Sequence, residues 1–192
     1  MASDQLDPLT PVARDVLQLD NAGRYEALVP TTAYEQARSQ LVQLDADGAV
    51  QPPTDRDAEA CVRAGLWLWH DFLVESHTIS QSVDTPFGSY WLGIMHRREG
   101  DFGNAKYWFR LAGELPIFKT LSSHAADVLR NEPADKRLLP LSSSSWNPSA
   151  LVDLAQTAHR EGADSPLHRP AVALQQAEWR VLFDWCVRQS RS

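Results

Sequence analysis

The segment that decides the fold is residues 64–77, with the sequence AGLWLWHDFLVESH. On a helix its apolar side chains would cover almost every face, and a helix that is apolar all round is a buried one. We therefore predict a single buried central helix over about residues 56–80, with the remaining chain packed around it.

Outward from this segment, helical periodicity dominates and strand patterns are scarce. Proline and glycine punctuate the chain and mark helix ends. The sequence therefore predicts an all-α fold, a compact bundle of six to eight helices in one domain over residues 1–192. We expect an acidic N-terminal helical layer over 1–50, a core with the candidate site over 54–130, and a C-terminal helical pair over 147–190.

Residues 86–117 partly match a tetratricopeptide pattern, in which small residues let two antiparallel helices, here expected within residues 88–112, approach closely. The matching residues are Leu92, Gly93, Ala105, Phe109 and Ala112. A solenoid needs about three such units, and the sequence has one. We predict a tetratricopeptide-like helical hairpin inside the bundle, not a repeat array.

Charge and composition exclude several classes of partner. The net charge is −7, and residues 1–60 hold 11 acidic and 4 basic residues. Without a stripe of Lys and Arg we expect neither nucleic-acid binding nor attachment to anionic membranes. No apolar run approaches the roughly 20 residues of a membrane span, and the acidic N-terminus does not resemble a signal peptide. We expect a cytoplasmic protein.

Polar residues that lie among large apolar ones indicate a binding site. A buried ionisable group is unfavourable unless it is paired or faces a cavity. Histidine, arginine and lysine would hold an anionic or hydroxylated group, and tryptophans would supply flat walls. The sequence thus predicts a pocket for a small polar or anionic organic ligand, lined by His70, Glu75, His77, Trp91, His96, Arg97, Asn104, Lys106 and Trp108.

Two alternatives remain open. The first is a metal-dependent enzyme whose divalent cation is held by His70, His77, His96 and Glu99, recruited across helices because His70 and His77 are too far apart to share an ion on one helix. The second is a protein-interaction module in which the polar residues form only a structural network. Cys61 and Cys186 lie in apolar helical segments, a pattern typical of buried, unreactive thiols.

Three stretches resemble a family of all-helical bacterial proteins with a SYWH-x-IMHRREPD-x-x-NAKYWFRR-like block. They are ESHTISQ (residues 75–81), TPFGSYWLGIMHRREGDFGNAKYWFRLAGELPIF (85–118) and AEWRVLFDWC (177–186). The resemblance implies a helical fold and no particular activity. Leu92 stands where the family block has a histidine, so the resemblance lowers the weight of metal chemistry and favours binding of a ligand or a partner.

Overall fold

The computed structural model describes residues 8–19, 25–130, 132, 135–142 and 145–192. Within these ranges the regular elements are helices, apart from one antiparallel bridge between Leu9 and Val50. The predicted all-α class is therefore confirmed. Residues 1–7 and 20–24 of the predicted N-terminal layer lie outside the described residues.

The described ranges contain nine α-helices and two short 3-10 helices, the latter at Glu35–Ala37 and Lys136–Leu141. No helix among them is long and apolar enough to cross a membrane. The α-helices are α1 (Pro11–Gln18), α2 (Arg38–Asp47), α3 (Arg56–Trp69), α4 (Leu73–Gln81), α5 (Pro86–Glu99), α6 (Phe102–Ala112), α7 (Phe118–Leu129), α8 (Pro148–Glu161) and α9 (His168–Gln189).

The predicted single central helix over residues 56–80 is wrong, because the chain breaks it in two. α3 ends at Trp69 and α4 begins at Leu73. Between them Asp71 has φ of 65°, in the left-handed region that a non-glycine residue rarely adopts. The break contains neither glycine nor proline, so periodicity alone predicts an uninterrupted helix.

The break is a Schellman C-cap of α3. The Asp71 N–H donates to the Leu68 carbonyl at 3.1 Å, and the Phe72 N–H donates to the Trp67 carbonyl at 3.0 Å. The Phe72 ring meets the Trp67 ring edge-on, with 5.0 Å between centroids, which is the apolar contact that usually accompanies this motif. The turn therefore supplies hydrogen-bond donors to the last carbonyl groups of α3, and it sets the direction in which α4 continues.

The deepest packing lies where α3, α5 and α9 meet. Gly65 of α3 allows these three helices to approach closely, since a Cβ there would lie 2.9 Å from the Trp91 ring and 3.0 Å from the Phe183 ring. The Trp179 indole N–H donates to the Gly65 carbonyl at 3.0 Å, which ties α9 to the backbone of α3. Trp91 is completely buried in this contact.

The N-terminal helices contact the outer side of α3. Asp45 of α2 accepts hydrogen bonds from Arg63 at 2.9 Å and from the Trp67 indole N–H at 3.0 Å. Leu41 and Leu44 of α2 are buried. At the other end of the chain, α8 and α9 pack against each other. The division into layer, core and C-terminal pair stays a prediction.

α5 and α6 form a close pair joined by a short turn at Gly100 and Asp101. Gly100 has φ of 88°, a left-handed conformation that ends α5. A Cβ on Gly93 would lie 2.6 Å from the Phe109 ring, so the absence of a side chain allows the two helices to touch. This pair covers the predicted hairpin, whose likeness to a tetratricopeptide unit stays a prediction.

We expect Gly93→Ala to lower the free energy of unfolding by about 1–3 kcal/mol, because the added methyl group overpacks the Phe109 ring. The matched control is Gly103→Ala in α6, where a Cβ meets only an Asp101 carboxylate oxygen at 3.7 Å. The control should be neutral or slightly stabilising, since alanine favours helix more than glycine does. Urea unfolding measures both, and equal effects would contradict the proposed close contact.

Candidate functional site

The last turn of α5 sends four consecutive polar side chains in different directions. His96, Arg97, Arg98 and Glu99 follow one another at about 100° of helix rotation each. Arg97 and Arg98 are completely buried, His96 is 7% exposed, and the Glu99 side chain is 54% exposed. α5 therefore carries two charges into the interior and presents a histidine and a carboxylate near the surface.

The outer group, here named the histidine shelf, consists of His77 of α4, His96 and Glu99 of α5, and Asn104 of α6. The rings of His77 and His96 meet edge to face with 5.4 Å between centroids. His96 Nδ1 lies 3.0 Å from the Glu99 carboxylate. A carboxylate accepts only, so Nδ1 carries the hydrogen and Nε2 of a neutral ring is left as an acceptor.

Asn104 reaches the shelf because of how α6 begins. Asp101 caps α6 by accepting from the Asn104 N–H at 3.0 Å, and this places Asn104 in the first turn beside the end of α5. The Asn104 amide nitrogen lies 3.4 Å from Nδ1 and 3.2 Å from Nε2 of His96. Because the two distances are similar, the Asn104 amide nitrogen lies between the two ring nitrogens of His96 and is not aligned with the lone pair of either.

Aromatic side chains flank the shelf on α6. Trp108 lies four residues after Asn104, hence on the same side of the helix, and is partly buried. Tyr107 is 50% exposed, and its ring meets Trp108 edge-on at 5.3 Å. The shelf thus combines imidazole, amide and carboxylate groups with an adjoining aromatic surface.

Arg97 belongs to a buried network on the opposite side of α5. Its guanidinium donates to Glu178 of α9, and the Tyr90 hydroxyl donates to the other oxygen of Glu178 at 2.8 Å. The Trp146 indole N–H donates to the Tyr90 oxygen at 2.8 Å. Tyr90 and Arg97 reach the same carboxylate because seven residues separate them, which is two turns of helix.

Burial changes the proton affinity of this network. Burial by itself would lower the pKa of Arg97, but the Glu178 carboxylate outweighs it, and the pKa of Arg97 is raised. Burial, with the Glu178 charge second, raises the pKa of Tyr90 well above its ordinary value. The network therefore holds a charged Arg97–Glu178 pair and a neutral Tyr90 phenol.

Arg98 forms a second buried network, centred on the break between α3 and α4. Its guanidinium donates to Asp71 and, at 3.0 Å, to the Ala27 carbonyl. The same group lies 3.7 Å from the centre of the Tyr25 ring, within cation–π range. Gln175 of α9 donates to the carbonyls of Tyr25 and Ala27, both at 3.1 Å. The backbone of residues 25–27 is therefore held against the Arg98 guanidinium.

The structure divides the predicted ligand residues among several places. It brings His77, His96 and Asn104 together, with Trp108 on the adjoining side of α6. Of the predicted metal ligands, Glu99 joins them through His96.

Five other predicted residues make contacts elsewhere. His70 is buried, with Nε2 3.0 Å from the Val16 carbonyl. Glu75 pairs with Arg38, Arg97 with Glu178, and Lys106 with Asp153. Trp91 packs in the contact between α3 and α9.

Two local features explain this division. The break at Asp71 turns α4 relative to α3, so His70 and His77 do not share one helix face. On α6, Lys106 lies on the flank opposite Asn104 and Trp108, with the buried stripe of Ala105 and Phe109 between them. The expected single cluster therefore separates into the histidine shelf and five positions elsewhere in the fold, of which Arg97 belongs to a buried network.

The metal-dependent alternative lacks a complete ligand set in the described ranges. No group of three or more His, Cys, Asp or Glu side chains there is arranged to hold a metal ion. His77, His96 and Glu99 are neighbours, but Glu99 contacts an imidazole nitrogen that would otherwise bind metal. A zinc site in proteins generally needs three or four converging ligands.

Sequence reasoning missed Glu178 and Gln175, the polar residues of α9 that complete the interior. Both are completely buried. Their spacing offered a signal, since they fall within the apolar stripe formed by Leu174 and Leu182 on the same helix. A carboxylate and an amide within a buried apolar stripe indicate that each has a hydrogen-bonding partner elsewhere in the interior.

Comparison of the chain with protein-family models, with curated proteins and with solved structures finds no match. The function is therefore argued from the site itself.

We expect Glu178→Gln to lower the free energy of unfolding by about 3–5 kcal/mol, because it leaves the buried Arg97 charge without a counterion. The double variant Arg97→Met/Glu178→Leu removes both charges and should lose less than the single variant. Urea unfolding compares the two. A double variant as unstable as the single one would show that charge compensation is not what the network supplies.

We expect stability to fall at alkaline pH. Burial raises the pKa of Tyr25 and of Tyr90 in the folded state. Above the ordinary tyrosine pKa of about 10, the unfolded chain loses these protons while the folded chain keeps them. The unfolded state then binds fewer protons, so the free energy of unfolding decreases as pH rises.

Urea midpoints measured from about pH 8 to about pH 11 test this expectation. Tyr90→Phe should show a weaker alkaline decline than the parent protein, although it starts from lower stability because two hydrogen bonds are lost. Tyr107→Phe, at a half-exposed position, is the control and should follow the parent curve. A Tyr90→Phe curve parallel to the parent would contradict the explanation.

Proposed function

We propose that this protein binds a small polar organic molecule, carrying anionic or hydroxyl groups, at the histidine shelf. The supporting observation is that His77, His96 and Asn104, three of the predicted ligand residues, adjoin one another beside a partly exposed aromatic surface. The predicted arginine, in contrast, is paired inside the protein with Glu178.

The orientation of His96 favours hydrogen bonding to such a ligand. Glu99 holds the hydrogen on Nδ1, so Nε2 is able to accept a hydrogen bond from a hydroxyl group. A protonated ring would instead donate from Nε2 to a carboxylate or phosphate oxygen. The Asn104 amide supplies both a donor and an acceptor next to this nitrogen.

The rigid interior supports the position of the shelf. α5 is fixed in rotation by Arg97 and Arg98, whose partners come from α9 and from the α3–α4 turn. His96 therefore occupies a defined place relative to His77 and Asn104. Binding groups held in place before the ligand arrives need less ordering on binding, which favours affinity.

The flat side chains of α6 would contact the non-polar part of the ligand. Trp108 follows Asn104 by four residues on the same side of α6, and the Tyr107 ring meets the Trp108 ring edge-on. Binding sites commonly combine a few placed polar groups with a larger apolar or aromatic surface. This combination favours a ligand such as a hydroxylated or carboxylated ring or chain over a bare inorganic ion.

A second candidate function, the protein-interaction module, is favoured by one specific observation. Two large apolar side chains of α6, Tyr107 and Leu111, are 50% and 57% exposed and lie four residues apart on one face. An exposed aromatic and aliphatic pair on a helix is a common element of protein interfaces. Under this alternative, His77 and His96 serve only to position the surface.

The first experiment is an NMR titration of the histidine ring resonances with four probes: inorganic phosphate, citrate, shikimate and mannitol. Phosphate is a bare oxyanion, citrate a hydroxylated carboxylate, shikimate a hydroxylated ring carboxylate, and mannitol a neutral polyol. We expect shikimate or citrate to shift the His77 and His96 rings in a saturable way. His96→Ala should weaken that binding at least about tenfold, the effect of losing one charged or well-placed hydrogen bond.

The matched control is His124→Ala, at an exposed position on α7. It should leave the affinity unchanged. Saturable binding that persists in His96→Ala, or no shift of either ring with any of the four probes, would contradict the proposal. In the latter case, loss of self-association or partner binding in Leu111→Ser would support the interaction module.

A further inference from the structure

A second feature, distant in sequence from the histidine shelf, is the contact between α3 and α9. The two helices run antiparallel in a defined register. Thr54, just before α3, donates its N–H to the Ser190 carbonyl at 2.7 Å, and Trp179 donates to the Gly65 carbonyl at 3.0 Å. As residue numbers rise along α3, those of the facing residues fall along α9.

This register places Cys61 opposite Cys186. Cys61 lies one turn before Gly65, where the absence of a side chain brings the helices close, and Cys186 lies about one turn after Phe183, which would touch a Cβ on Gly65. Helices in contact through small residues approach to about 8 Å between axes. A disulfide requires a Cα separation of about 5.5 Å, which only helices that approach this closely can provide.

The two thiols are neighbours in the structure. Both side chains are 1% exposed. Both also line a pocket of about 100 Å³, whose other walls include Asp55, Phe87 and Trp185. The two thiols therefore share the wall of a space large enough for a molecule of a few atoms.

We propose that Cys61 and Cys186 are a modification site, at which a small peroxide converts the two thiols into a reversible disulfide between α3 and α9. One thiol loses its proton, and the resulting thiolate attacks a peroxide oxygen and becomes a sulfenic acid, while the O–O bond breaks and the departing hydroxide takes up the released proton to form water. The second thiol attacks the sulfenic sulfur, the S–S bond forms, and a second water leaves. Two thiols are oxidised and one hydrogen peroxide is reduced to two waters.

The surroundings determine the rate of this reaction. The neighbouring Cys186 thiol, together with burial, raises the pKa of the Cys61 thiol, and the nearby charges of Asp57 and Asp55 act in the same direction. The thiolate is the nucleophile, so the reaction is slow near neutral pH and faster as pH rises. The pocket admits a peroxide but is small for a bulky oxidant.

The bond would change the stability of the whole chain. It would close a loop of roughly two thirds of the sequence, and long loops restrict the unfolded ensemble most. Cleavage by a dithiol reductant would restore both thiols.

The test treats the reduced 192-residue chain with hydrogen peroxide and follows four quantities. Thiol titration in denaturant should fall from two thiols to none, and the intact mass should decrease by two hydrogens. Peptide mapping should recover the segments around Cys61 and Cys186 joined. The urea midpoint should rise, and dithiothreitol should reverse all of these changes.

Two outcomes would overturn the proposal. One is a folded protein that keeps both thiols after peroxide treatment at pH values up to about 9, where a typical thiol is substantially ionised. The other is oxidation only to sulfinic acid or to cross-links between chains. Cys61→Ala and Cys186→Ala are controls that should give no intramolecular cross-link. Because the wild-type result alone decides the question, an unstable variant would not impair the test.

Discussion

The ion pair between Arg98 and Asp71 is the interaction on which the arrangement of the helices depends. Arg98 is completely buried, and a buried guanidinium without a counterion would be strongly destabilising. Asp71 supplies that counterion from a left-handed conformation between α3 and α4. The same pair thus fixes where α3 ends, how α4 departs, and how α5 is rotated.

The histidine shelf follows from this constraint together with the Arg97–Glu178 pair. Two neighbouring arginines that point about 100° apart, each held by a distant carboxylate, leave α5 no freedom to rotate about its axis. His96 is then directed outward between α4 and α6. In this protein the buried charges orient this imidazole, and the hydrophobic core by itself would not specify that orientation so narrowly.

Much of the fold could be predicted from local signals, because many helix ends are determined locally. Thr10 with Pro11 begins α1, Asp101 begins α6, and Asn147 with Pro148 begins α8, as capping rules predict. The break at Asp71 could not be predicted in this way. A left-handed aspartate is unfavourable by itself and is stabilised here by Arg98, which is 27 residues away.

The site was only partly predictable for the same reason. The closeness of His96 and Asn104 follows from a local turn, and Trp108 follows from helix periodicity. Arg97, however, finds Glu178 at a separation of 81 residues, which no local pattern specifies. Lys106 is close to Asn104 along the chain, whereas its side chain points from α6 to Asp153 of α8.

The position of α9 in the chain has a consequence for biosynthesis. α9 contacts α3, α7 and α8, and it supplies Glu178 and Trp179 to the interior. The ribosome synthesises α9 after every helix that α9 contacts. While those earlier helices emerge, Arg97 and the face of α3 around Gly65 are therefore not yet covered by α9. The nascent chain therefore exposes charged and aromatic interior surface until α9 has emerged, which is the condition under which chains engage chaperones.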